Sequence, residues 1–122
     1  MRFLLLLLFA AIPAATIAQD ESYTVCIVGL SGYAAYSQNN NQFGTDEISA
    51  PVVIQISKTI GVSVMGWPNG SCDFAAGIIV CSAGDTVETY LITDDGVVYY
   101  TKTTSNPVSR GTKAMIGRIG AC

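Results

Sequence analysis

Ser49–Met65 reads SAPVVIQISKTIGVSVM, and the spacing within it decides the fold class. Val52, Ile54, Ile56, Ile60, Val62 and Val64 occupy even positions, with Lys58 the exception, while Gln55, Ser57, Thr59 and Ser63 occupy odd ones. An alternation of two is the signature of a strand with one buried and one wet face. The stretch is longer than an ordinary strand of about 5–6 residues, so a hairpin or sharp bend is expected between Ser57 and Gly61. The competing reading is a helix capped by Ser49 with Pro51 in its first turn. β-Branched residues lose side-chain freedom in a helix and fit a pleated surface, which favours strand.

Working outward, Tyr23–Leu30 (YTVCIVGL) reads as a buried first strand ended by Ser31-Gly32. Gln38–Gln42 is a polar run continued by Gly44–Glu47, and the whole is expected to be a solvated loop. Gly66-Trp67-Pro68-Asn69-Gly70 is turn chemistry. Gly77–Cys81 is a further short strand, and Val87–Thr101 is the clearest hairpin. Its turn is placed at Asp95-Gly96, pairing Thr93 with Val98, Ile92 with Tyr99 and Leu91 with Tyr100. Ser105-Asn106-Pro107 breaks the next strand, and Ala114–Ile119 supplies the last. The expectation is an all-β fold, a small antiparallel sandwich or barrel of about six strands with at most one short helix.

The N-terminus has the form of an export leader: Arg2, an apolar Phe3–Ile12, Pro13, and the small-x-small pattern Thr16-Ile17-Ala18. Residues 1–18 are therefore expected to be a signal peptide and 19–122 a single secreted β-rich domain without a stable membrane anchor, located extracellularly, with later delivery into host cells left open. Cys26, Cys72, Cys81 and Cys122 all lie in the mature part, where two disulfides would supplement a small core. Three pairings are possible. The nested one, Cys26 with Cys122 and Cys72 with Cys81, is preferred over Cys26 with Cys81 and Cys72 with Cys122, because it ties the first strand to the chain end and clips a local hairpin.

Without the leader, five basic residues face nine acidic ones, for a net charge of −4. All nine acids lie at or before Asp95, and Lys102, Arg110, Lys113 and Arg118 follow it. So little positive charge argues against nucleic acid as a partner. These four side chains and Trp67 are candidates for partner binding, as are Tyr33 and Tyr36 in or beside expected loops. The chain contains no histidine, which removes the usual Ser-His-Asp and Cys-His catalysis and the commonest metal ligand. With the cysteines oxidised, no soft zinc set remains. No cofactor is expected. Asp73, Glu88, Asp94 and Asp95 could in principle form a glycosidase pair, but Asp94-Asp95 serves a turn more simply, and no enzyme is expected. Asn69-Gly70-Ser71 is an N-glycosylation sequon.

The leader, the early cysteine in Thr24-Val25-Cys26-Ile27-Val28, the later Cys72 or Cys81 and the final Cys122 resemble the small secreted effectors of plant-pathogenic fungi, in particular the group with a ToxB-like β-sandwich. The resemblance implies a monomeric, non-catalytic virulence effector that binds a host protein, often through an exposed strand edge or charged surface. Asn106–Gly111 followed by a strand and a terminal cysteine is similar to the end of fungal killer toxins. That likeness implies an antimicrobial toxin with helices packed on a sheet. A third reading is a protease inhibitor presenting Arg110.

Overall fold

A computed structural model describes residues 22–57, 61–65 and 71–122. The leader, Ile60, Trp67 and the Asn69 sequon lie outside the described residues. Nine strands follow one another: β1 (Ser22–Tyr36), β2 (Phe43–Ile48), β3 (Val52–Ser57), β4 (Gly61–Val64), β5 (Ser71–Ala75), β6 (Ile78–Ala83), β7 (Thr86–Ile92), β8 (Val97–Thr104) and β9 (Gly111–Gly120). Among the described residues the only helix is a 3-10 turn at Ser37–Asn39, and none is long and apolar enough to cross a membrane.

All neighbouring strands run antiparallel, and β9 pairs back onto β1. Eight strands therefore close into a barrel in the ring order β1-β3-β4-β5-β6-β7-β8-β9, with β2 outside it. Closure removes the free edges that an open sheet would expose. The fold is all-β and disulfide-linked as expected, but with nine strands rather than about six.

The alternation in Ser49–Met65 places its side chains as read. Ile54, Ile56, Val62 and Val64 are buried, and Gln55 and Ser63 are exposed, with β3 and β4 forming the expected hairpin. The interior also takes Ile27, Leu30, Ile79, Cys81, Tyr90, Val98, Tyr100 and Met115. Both disulfides follow the nested pattern: Cys26–Cys122, with Cα atoms 5.5 Å apart, and Cys72–Cys81, with Cα atoms 4.0 Å apart on paired strands.

Three expectations need correction. The first strand does not end at Ser31-Gly32; it runs on to Tyr36 after a bulge between Val28 and Ser31. Gly32 serves close packing here instead of a turn, since a Cβ there would stand 2.1 Å from the Ala114 carbonyl oxygen. Tyr33 and Tyr36 consequently belong to a strand. Second, the expected loop after Gly32 contains β2, which includes Asp46 and Glu47 and pairs with the second half of β1. One edge of β1 is thus divided, Ser22–Ile27 pairing with β3 and Leu30–Ala35 with β2. Third, the β7–β8 hairpin is one residue out of the expected register: Ile92 faces Val98, Leu91 faces Tyr99, and Tyr90 faces Tyr100. Thr93 N–H donates to the Val97 carbonyl and Gly96 N–H to the Thr93 carbonyl, and Gly96 adopts φ 81°. This is a three-residue loop with glycine in the left-handed position, not a two-residue turn. The shift puts Tyr90 and Tyr100 inside and Leu91 and Tyr99 outside.

Candidate binding groove and polar interior

On the outer face, the consecutive strands β8, β9, β1 and β2 bring outward positions into two rows. Tyr99 faces Ile116, which faces Ser31, which faces Glu47. One step along, Thr101 faces Ala114, then Tyr33, then Thr45. With β2 extending this wall beyond the ring, the four strands form an open groove of about 950 Å³. Tyr33, Tyr99 and Ile116 are exposed in it at 58%, 47% and 54%. A soluble sheet face normally carries polar side chains there, so the cluster stands out. Hydroxyls from Ser31, Thr45 and Thr101 alternate with it, Glu47 sits on the rim, and no lysine or arginine lines it. Thr101 is also hydrogen-bonded to Thr89 on the neighbouring strand.

Inside the barrel, the one buried charged residue among those described is Glu88. The hydroxyls of Tyr90 and Tyr100 each donate to its Oε2 at 2.7 Å, and the two rings lie 5.1 Å apart. Burial, reinforced by the Glu88 carboxylate, pushes both phenols well above their ordinary pKa, so they remain donors. Two donors on one carboxylate oxygen satisfy a group that would otherwise be costly to bury. Glu88 is held rather than poised.

Lys102 faces Glu88 across one strand pair and Lys113 across the next. Lys113 Nζ donates to Asp46 Oδ2 at 3.0 Å and lies 5.9 Å from the Tyr36 ring centroid. That hydrogen bond holds the Asp46 carboxyl below the usual carboxylate range. Burial disfavours the charge on Lys113, but Asp46 and Tyr36 outweigh it and leave its pKa raised.

Of the expected binding residues, Lys102 and Lys113 are thus cross-strand neighbours on half-buried, inward-turned positions. Arg110 stands in the β8–β9 loop, exposed, its carbonyl accepting from Ser37 N–H at 2.8 Å. Arg118 lies exposed near the far end of β9, facing Val97 and Val28, so the four bases form no single patch. The candidate carboxylates are likewise dispersed: Asp73 is exposed on β5, Glu88 is inside, and Asp94 and Asp95 occupy the β7–β8 turn. Among the described residues no cluster of His, Cys, Asp and Glu could hold a metal ion. The groove itself escaped sequence reasoning, since Tyr33 on β1 meets Tyr99 and Ile116, on β8 and β9, only across the ring closure. Its local signs were Tyr33, expected beside a loop, and the exposed Ile116 in an otherwise alternating last strand.

Comparison with protein-family models, curated proteins and solved structures gave no match to this chain.

Proposed function

We propose that this chain is an exported, non-catalytic interaction protein of the virulence-effector type, which binds a host protein through the groove on β8, β9, β1 and β2. The observation that supports this reading most is the exposed Tyr33, Tyr99 and Ile116 cluster within a concave, four-stranded wall. Aromatic side chains beside an aliphatic one are the usual energetic centre of a protein interface. Strand β2 pairs only with β1 among the described residues, which leaves an edge beside the groove for an extended segment of the partner. Glu47 on the rim and the absence of lining bases favour a partner segment that is basic rather than acidic. Two disulfides are compatible with the oxidising surroundings of an extracellular protein.

The test compares the oxidised protein with a Tyr99→Ala, Ile116→Asp double variant. A host-plant protein retained by the former should bind the variant at least tenfold more weakly once purified. The expression phenotype in leaves should weaken in parallel. Equal retention by both proteins, or neither a retained protein nor a phenotype, would overturn the reading.

A further inference from the structure

A second cavity, of about 270 Å³, opens at the end of the barrel that holds the β7–β8 turn. Its lining identifies it as the mouth of the bore. It draws on Val25 of β1 and Ile79 of β6, on Ile56 of β3 and Ile92 of β7, and on Phe74 of β5 and Ile119 of β9. In a ring of eight, each of these is a pair of diametrically opposite strands. The groove, in contrast, is lined only by consecutive strands. A hollow in the side of the barrel could not draw on opposite walls; one at its mouth does.

We propose that this end of the bore binds one small apolar molecule carrying a hydrogen-bond-donating, preferably cationic, head group: a short alkylamine or arylamine. An eight-stranded barrel is wide enough to be filled by side chains or to hold one small ligand. Here side chains fill most of the bore, the Glu88–Tyr90–Tyr100 cluster among them, and the space left lies at the mouth. The Tyr90 ring closes the inner end of the cavity while its hydroxyl is committed to Glu88. An apolar protein cavity of about 150 Å³ admits benzene, so this one has room for roughly ten non-hydrogen atoms. Phe74 and Ile119 remain 50% and 40% exposed at the mouth, apolar surface that an occupant would cover. Asp94, exposed, is the one charged residue lining the cavity, and it selects for an amine over a carboxylate. The site is independent of the outer groove.

Titration of the oxidised protein with 1-naphthylamine, whose emission shifts in apolar surroundings, tests the proposal. One saturable site per chain is expected. Octylamine should displace the dye at concentrations at least tenfold below those needed for octanoate, and Asp94→Asn should remove that preference. Ile92→Trp and, two strands further round the ring, Ile119→Trp should each weaken dye binding at least tenfold while leaving the circular dichroism of the barrel intact. Tyr99→Ala in the groove should change nothing. Absence of saturable binding, equal displacement by octanoate, or loss on Tyr99→Ala with retention in both tryptophan variants would each overturn the assignment.

Discussion

Between β1 and β9 nine residue pairs run in register on either side of a bulge, whereas between β4 and β5 only Val62 faces Cys72 among the described residues. The barrel thus has a thick wall, β7-β8-β9-β1, and a thin one, β3-β4-β5-β6. The thick wall carries the long ladders, the outer groove and, inside, the Glu88 cluster. The thin wall has short strands and relies on the packing of Val62, Val64, Ile79 and Cys81, with a disulfide binding β5 to β6. Ladder hydrogen bonds and covalent links are distributed unevenly, and each wall should fail in its own way.

The largest effect is expected where the ring closes. Replacing both Cys26 and Cys122 by serine frees a loop of sequence separation 96. The loss should be about 4–5 kcal/mol in urea unfolding, by the loop-entropy account of disulfides. A loss below about 2 kcal/mol would show that the β1–β9 ladder closes the barrel without its staple.

Next comes the interior of the thick wall. Glu88→Ala leaves two buried hydroxyls without an acceptor and should destabilise by about 2–4 kcal/mol. Glu88→Leu combined with Tyr90→Phe and Tyr100→Phe should recover much of that loss, since no polar group is then stranded. The same cluster sets an alkaline limit. Tyr90 and Tyr100 have folded-state pKa values raised above the unfolded value of about 10. Their stabilising contribution is therefore complete below pH 10 and diminishes as pH rises beyond it. Absorbance at 295 nm should report these two phenols ionising only with unfolding; early, complete titration of all tyrosines would contradict their burial.

The smallest expected loss is in the thin wall. Cys72→Ser with Cys81→Ser opens a loop of sequence separation 9, worth about 2.5 kcal/mol. Hydrogen exchange should then accelerate in β4, β5 and β6 while β8 and β9 stay protected. Uniform acceleration around the ring would mean the two walls act as one unit.

The contrast also explains what the sequence made legible. Ser49–Met65 alternates cleanly because β3 and β4 each present one face to a dry interior. β2 (FGTDEI) and β5 (SCDFA) were hidden, the first lying outside the ring with both faces largely wet and the second beside a turn-rich stretch. Ser31-Gly32 resembles a turn in one dimension, and only the approach of the Ala114 backbone shows why glycine is needed in mid-strand. The Asp95-Gly96 turn was correctly located, but a one-residue difference in loop length decided which tyrosines entered the core. Fold class and cysteine pairing could be inferred from local pattern and loop logic. The groove could not, because Tyr33 on β1 joins the β8–β9 pair of Tyr99 and Ile116 only once the ring closes.

The bond between Cys26 and Cys122 also makes nearly the whole domain a covalent circle. A single proteolytic cut anywhere from Ile27 to Ala121 would leave one molecule, its two pieces still joined through Cys26 and Cys122. Digestion of such a protein must wait for a second cut. For a chain proposed to be exported, that delay would slow its loss to proteases without one additional contact in its core.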